Sequence, residues 1–283
     1  MEENSSVTFN LFQWNTLNRK LSDKKSFPYV EDKYLEWEYR QPLLKKIIEE
    51  NKGDIICLEE VGKFEKDFKE EIFEKLTIKY ELIFGNKARG FMGSVLGVNK
   101  ELFSIENSIN LYMDGVDGKK SGANTLFALV KENKTNNKFV VAAIHFRAKE
   151  ENENVRILEM NHLMKYLEEN YLRKYPIFLL GDFNAEPTYQ CILNLFKNKN
   201  ISAKSLLDLK ELDFTTIKLR DKLYRRIIDY IFFVGKNQDD KDELKVISAE
   251  KGMPNIDENI GLPNDIFPSD HLYLKAKVEL KFV

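Results

Sequence analysis

Apolar residues recur along this chain in short runs with a spacing near two, broken by turn-forming residues. Val7 to Trp14, Asp54 to Val61, Tyr80 to Phe84, Gly93 to Val98 and Leu102 to Leu111 read as strands. Asn124 to Val130 and Lys138 to His145 read as a strand pair across the turn Asn133 to Asn137. In Asp54 to Val61 both faces are apolar, with Ile55 and Cys57 on one and Ile56 and Leu58 on the other. That is the pattern of a strand covered on both sides. Ile177 to Leu180, Phe214 to Leu219, Ile227 to Val234, Leu244 to Ser248 and His271 to Val278 complete the strand set, with Gln238 to Glu243 as a charged tip.

Fewer stretches carry helical spacing. Trp37 to Glu50 places Leu43, Leu44, Ile47 and Ile48 together, with Pro42 expected in the first turn or at the true start and Gly53 as the stop. Phe64 to Leu76 reads as a second helix. Val155 to Tyr171 reads as a third, with Leu158, Leu163, Met164 and Leu167 on its apolar side. Thr188 to Phe196, opened by Pro187, reads as a fourth. Strands outnumber helices and several pair as hairpins. The expectation is an α/β fold of two packed, mainly antiparallel sheets flanked by helices. No repeat or linker divides residues 1–283, so one domain is expected.

Polar residues stand where several apolar runs stop. Gly181-Asp182-Phe183-Asn184 follows Ile177 to Leu180, and the spacing of two aims Asp182 and Asn184 the same way in extended chain. Asn15 ends the first strand and His145 ends Phe139 to Ile144. Glu60 ends the second strand, with Glu59 expected to point to the opposite face. Asp229 interrupts Arg226 to Phe233, where an unpaired carboxylate would be costly. Asp270 and His271 open the last strand. Each placement alone has an ordinary explanation as a turn, a cap or a strand-end charge; its recurrence in five further segments points to a site.

Asp, Asn, Glu and His without a cysteine cluster form a donor set for a hard cation such as magnesium, which polarises phosphoryl oxygens. A histidine held by an Asp can move a proton near neutral pH. The chemistry this inventory fits is metal-assisted phosphoester hydrolysis.

Charge narrows the substrate. The 44 basic and 46 acidic residues give a formal charge of -2, against the basic surface of a protein that coats long nucleic acid. Stable binding to double-stranded DNA is not expected. Two cysteines, Cys57 and Cys191, build no disulfide framework and read as buried thiols in a reducing compartment. Met1 to Ser6 lacks the apolar core of a signal peptide, and Phe139 to Ile144, the longest apolar stretch, is too short to span a bilayer. A cytoplasmic protein is expected, with the nucleus left open, not a secreted or membrane one.

Gln13-Trp-Asn-Thr16, Cys57-Leu-Glu-Glu-Val61, His145, Gly181-Asp-Phe-Asn184, Ile228-Asp-Tyr-Ile231 and Ser269-Asp-His271 together resemble the endonuclease/exonuclease/phosphatase superfamily, in the family's order. The fold this implies is a four-layer α/β sandwich of the DNase I type. The resemblance implies that Glu60 holds magnesium, or manganese in its place, with Asn15 nearby and Asp270 close to the metal. It implies that Asp182 orients or deprotonates the attacking water and Asn184 binds the scissile phosphate. His271, paired with Asp229, would stabilise the transition state, and His145 would contact the phosphate or leaving oxygen.

Within the superfamily the sequence is most similar to the nocturnin and cytoplasmic deadenylase branch, through Trp37-Glu38, His145-Phe-Arg-Ala-Lys149, Asn184-Ala-Glu-Pro187, Thr215-Thr-Ile-Lys-Leu-Arg220 and Phe267-Pro-Ser-Asp-His271. It departs from that branch at Glu59, where the family has Gln, and in the order of Arg147 and Lys149. Its loop from Lys87 to Gly93 is also shorter. The resemblance makes Lys87, Arg147, Lys149, Lys218 and Arg220 substrate-binding residues. Phe267 reads as core by its spacing or, from its place beside the site, as a substrate-binding residue that packs on a base. It implies an adenine nucleotide or an RNA 3′ end as substrate. A 2′-phosphatase on NADP(H) is the first choice and a 3′–5′ poly(A) exoribonuclease the alternative. A catalytically silent binding protein of the same fold is disfavoured because the whole polar set is present. Nothing in the sequence names a protein partner.

Overall fold

The computed structural model describes residues 5–88, 90–235, 244–252, 256, 259 and 261–282. The expected tip Gln238 to Glu243 lies outside them. β1 (Ser5–Asn15) runs through a long loop and one turn of α1 (Asp32–Leu35) into α2 (Trp37–Asn51) and β2 (Ile55–Val61). A π-helical segment (Phe64–Glu70) and a 3-10 turn (Phe73–Lys75) lead to β3 (Tyr80–Asn86), β4 (Gly93–Asn99), β5 (Phe103–Asp114), β6 (Lys120–Glu132) and β7 (Lys138–His145). α3 (Glu153–Asn170), β8 (Ile177–Asp182) and α4 (Gln190–Lys197) follow. The remaining strands are β9 (Ala203–Ser205), β10 (Thr216–Leu219), β11 (Leu223–Arg226), β12 (Asp229–Val234), β13 (Leu244–Lys251) and β14 (Leu274–Phe282).

Among the described residues the strands form two six-stranded sheets, ordered β13-β14-β1-β2-β4-β3 and β5-β6-β7-β8-β12-β9, with β10-β11 as a separate ribbon. Each large sheet has one parallel pair, β1 with β2 and β7 with β8, and is otherwise antiparallel. The two-sheet α/β sandwich expected from the strand pattern is the observed fold.

Strand alternation builds three layers of core. Phe9 and Leu11, Ile55 and Cys57, Val141 and Ala143, Phe178 and Leu180, and Ile231 and Phe233 pack between the sheets. Their neighbours Phe12 and Trp14, with Ile56 and Leu58, face α2 and the π-helical segment. Val140, Ala142, Leu179 and Phe232 face α3 and α4. Cys57 and Cys191 are buried free thiols. No helix among the described residues is long and apolar enough to cross a membrane.

Local expectations fail in four places. Pro42 lies in the second turn of α2, and the left-handed residue that ends the helix is Lys52. Gly53 serves a different need, since a Cβ there would stand 2.6 Å from that of Phe12. Phe64 to Leu76 is two irregular turns and not one helix. On α3, Leu158 is exposed and Met160 takes the buried place, because Met160, Leu163, Met164 and Leu167 form the stripe that meets the sheet.

Candidate active site

The rows that are apolar between the sheets turn polar at one end. Phe9-Leu11 continues to Gln13 and Asn15, Ile55-Cys57 to Glu59, Val141-Ala143 to His145, Phe178-Leu180 to Asp182, and Phe233-Ile231 to Asp229. Pairing brings these ends level: Asn15 lies opposite Glu59, His145 opposite Asp182, and Asp229 opposite Asp182. All of these polar residues are buried.

Asp182 is at the centre. Its Oδ2 accepts from Asn15 Nδ2 at 3.0 Å and its Oδ1 from the Asn184 backbone N–H at 2.8 Å. Burial and the neighbouring Asp229 push its carboxyl up to about 6, against His271 and those two hydrogen bonds. Asn184 sits in a left-handed conformation (φ 52°) and donates to the Phe146 carbonyl.

His271 Nδ1 lies 3.0 Å from Asp229 Oδ2, which also accepts from the Thr215 hydroxyl at 2.7 Å. Burial alone would lower the imidazole's pKa, but Asp229, Asp270 and Asp182 push it up to about 10. The charged ring donates from both nitrogens. Its Nε2 lies 3.9 Å from both Asp182 Oδ2 and Asp270 Oδ2, beyond hydrogen-bond reach of either. His145 is the opposite case. Its Nε2 is 3.9 Å from Asp182 Oδ2, and burial, reinforced by Lys87 and His271, pushes its pKa well down, so the ring is neutral.

Ligand atoms of Asp182, Asp229 and His271 lie within 4.8 Å of one another. A protonated imidazole already bonded to a carboxylate is a poor metal ligand, which argues against a cation inside this trio. Asp270 and Glu60 fit better. Both Asp270 oxygens are buried without a well-aligned hydrogen bond, and the nearest charge is the Lys218 ammonium, 2.5 Å from Oδ2, with His271 Nε2 at 3.9 Å. Burial would raise the Asp270 carboxyl, but Lys218 and His271 hold it low, so it stays anionic. Glu60 is left-handed (φ 59°) at an irregularity in the β2–β4 pairing between Leu58 and Val61. Its Oε2 accepts from the Asn18 N–H at 2.9 Å, and the side chain borders a groove of about 850 Å³.

Glu59 continues the inner-facing row of Ile55 and Cys57, as counting by two requires, and joins the buried set. It is Glu60 that the bulge turns away from the row of Ile56 and Leu58 and toward the groove. Gln13 Nε2 donates to Glu59 Oε2 at 2.7 Å and reaches Asp229 Oδ1 at 3.3 Å. Burial, with Asp229 and Asp182 nearby, pushes the Glu59 carboxyl well above the usual range, against the Gln13 hydrogen bond and the His271 charge.

Lys87, Arg147 and Lys149 line the groove, joined by Lys119, Lys120 and the half-exposed ring of Phe91. Burial lowers the Lys87 ammonium's pKa, against the pull of Glu60 and Asp182. Lys218 is tied to Asp270, with its ammonium 5.8 Å from the centroid of the Phe27 ring, and the exposed Arg220 lies 3.4 Å from the Ser26 carbonyl. Phe267 is a correction. It is 4% exposed, packed on Trp14 and Tyr273 beneath the site, and has no face left for a base.

Gln13 and Thr215 stood in the quoted motifs without a role, and Arg40 escaped the sequence reading. Gln13 was legible by counting two back from Asn15. Arg40 had no local signal: it is fully buried on α2 and donates to the carbonyls of Thr16, Leu17 and Pro268, tying the ends of two site segments together.

A sandwich whose inner strand ends converge on such a polar set defines a known class. The Endonuclease/Exonuclease/phosphatase family 2 profile matches residues 21–223, and the chain belongs to this family, whose members hydrolyse phosphoester bonds and generally depend on divalent metals. Among curated relatives it is similar to Nocturnin of Homo sapiens, 26% identical over 283 residues that cover 93% of this chain and 63% of the relative. It is also similar to the probable CCR4-Not complex 3′-5′-exoribonuclease subunit Ccr4 of Vairimorpha ceranae, 26% identical and matching 98% of this chain and 65% of the relative. The chain thus spans less than two thirds of these relatives. In structure it resembles the human Nocturnin catalytic domain with bound sulfate (TM-score 0.76, 23% identity, 98% of this chain and 96% of that one). It also resembles ANGEL2, a 2′,3′-cyclic phosphatase, in complex with adenosine-2′,3′-vanadate (TM-score 0.81, 17% identity, 99% of each chain).

Proposed function

We propose that residues 1–283 act as a single catalytic domain, a magnesium-dependent phosphoester hydrolase for adenine nucleotides, and that the 2′-phosphate of NADP(H) is its first substrate. The observation that carries the reading is the division of proton duties in one buried cluster. Asp182, with a carboxyl near 6, is ionised at neutral pH and basic enough to take a proton. His271, held charged by Asp229, has an Nε2–H bonded to neither Asp182 nor Asp270. A binding module of this fold has no need of that contrast.

In this reading the attacking water gives a proton to Asp182 while its oxygen bonds to phosphorus. The electron pair of the broken P–O bond leaves with the ester oxygen. Asn15 and the Asn184 N–H hold the Asp182 carboxylate in place, and the Asn184 amide meets the phosphate. His271 hydrogen-bonds the phosphoryl oxygen where charge accumulates, and neutral His145 meets the leaving side. Glu60 and Asp270 would hold the divalent ion, which offsets charge on phosphoryl and leaving oxygens. The basic groove of Lys87, Arg147 and Lys149 suits the remaining phosphates of a dinucleotide.

A 3′–5′ exoribonuclease acting on poly(A) is the second reading, favoured by the match to the Ccr4 subunit over 98% of this chain. The two separate in one assay. The purified protein with magnesium is given NADP(H), read by phosphate release, or a 3′-oligo(A) RNA, read by laddering on a gel. Phosphate release without laddering upholds the phosphatase; laddering alone replaces it with the exoribonuclease. Silence in both overturns the adenine-nucleotide reading.

A further inference from the structure

The strand that delivers His145 ends against a loop held from behind by two buried charged side chains. Arg156 and Glu159 stand three residues apart on α3, so they share a face, and both are fully buried. Arg156 Nη1 donates to the Arg147 carbonyl at 2.9 Å and the Lys149 carbonyl at 2.6 Å, and Nη2 lies 3.4 Å from that of Glu150. Its Nε donates to Glu153 at 3.1 Å. Glu159 Oε2 accepts the Arg147 backbone N–H at 2.9 Å. Both backbone polar groups of Arg147 are therefore fixed by α3, while its side chain stays exposed on the groove.

Packing alone does not account for this arrangement. Burying an ionisable side chain is costly, and here the cost is offset by hydrogen bonds to backbone groups of one loop, the Arg147 N–H and the Arg147 and Lys149 carbonyls. The loop is also strained where it is gripped, since Lys149 holds φ 78° and ψ 145°, a region natural to glycine. Strain and buried charge meet behind two cationic side chains that border the same groove.

We infer that Arg156 and Glu159 are positioning residues that set the backbone of residues 147–150 so that Arg147 and Lys149 grip a substrate phosphate together. This rests on the hydrolase reading only for the identity of the substrate; the clamp itself concerns an anion of any source. Arg156 acts on both basic residues through their carbonyls, and Glu159 on Arg147 through its N–H. Neither side chain touches the reacting atoms.

The test is a double-mutant cycle on the full chain, with inorganic pyrophosphate as the probe and its affinity read by calorimetry in metal-free protein. Arg156→Met should weaken pyrophosphate about tenfold in the native background, the scale of one lost charge-assisted hydrogen bond. In an Arg147→Ala/Lys149→Ala background the same change should cost nothing further. Equal losses in both backgrounds, or none in either, overturn the proposal. Should Arg156→Met not fold, Glu159→Leu replaces it. That variant should weaken pyrophosphate and speed exchange of the Arg147 amide hydrogen, and Glu159→Gln, which keeps an acceptor, should restore both. Faster exchange with unchanged affinity overturns the positioning role. Clamp-dependent pyrophosphate binding without NADP(H) turnover upholds the clamp and removes only the substrate reading.

Discussion

The floor of the groove and its rim are built on different principles. On the floor, Asn15, His145, Asp182 and Asp229 sit on paired strands whose register fixes their relative heights. They bond within the buried cluster, Asp182 to Asn15 and Asp229 to Thr215 and His271, and the protonation of Asp182, His145 and His271 is set by burial and adjacent charge. On the rim, Arg147, Lys149 and Arg220 are exposed ends on loops, with contacts such as Lys149 to Glu151 at 3.9 Å that solvent screens. On the proposed function, the floor is suited to one reaction geometry and the rim to selection among phosphorylated ligands. Substitutions in the two regions should differ in kind: floor changes in kcat, rim changes in KM.

The largest effect is expected at the centre of the floor. Asp182→Asn should lower kcat by about 10³-fold or more while moving the melting temperature little above pH 6, since removal of a buried charge offsets the loss of one of the two hydrogen bonds the carboxylate accepts. Steady-state kinetics with a thermal melt checks this, and a variant within tenfold of native activity would dissolve the distinction between floor and rim.

Glu60→Ala should come next, with about 100-fold lower activity at limiting magnesium and weaker binding of the ion by titration. An unchanged magnesium titration would take Glu60 out of the metal set and return it to its role as acceptor for the Asn18 N–H.

The pH response should also divide by region. Activity should rise through about pH 6 as Asp182 loses its proton and hold until His271 loses its own near 10. His271 is raised from an ordinary value of 6.5, so its stabilising contribution is complete below about 6.5 and is lost as pH rises through 10. Asp229→Asn should pull that alkaline limb down toward neutral in a pH–rate profile, and an unmoved limb would mean that His271 does not set it.

The smallest effect belongs to the rim. Arg220→Ala should raise KM for a 2′-phosphorylated dinucleotide a few-fold (~1 kcal/mol) with kcat little changed, and less for oligo(A). Equal shifts on both substrates would make Arg220 a general phosphate contact.

Much of the floor was legible in the chain because strand alternation is local. Counting by two along the apolar runs reaches Asn15, His145, Asp182 and Asp229 without knowledge of any contact. The same counting puts Glu60 on the helix-facing row of Ile56 and Leu58, because the bulge that turns it toward the groove leaves no mark in the hydrophobic pattern. Phe267 was misread because an aromatic beside site residues looks the same in sequence whether it lies on the groove or beneath it. Lys218 shows the same limit: its charge was evident, but its commitment to Asp270 depends on where the β10–β11 ribbon meets the start of the last strand segment.

By itself the sequence determined the alternation of inward and outward residues, the two-sheet sandwich, and the polar residues that end its inner rows. Those features follow from the period of two and from the cost of burying a polar group without a partner. The tertiary structure alone decided which of those groups are charged. Asp182 owes its raised carboxyl and His145 its neutral ring to burial, and His271 owes its charge to the carboxylates around it, all supplied by elements distant in sequence. It also decided that Arg156 and Glu159 brace the groove, because a buried ion on a helix is told apart from a surface one only by what packs over it.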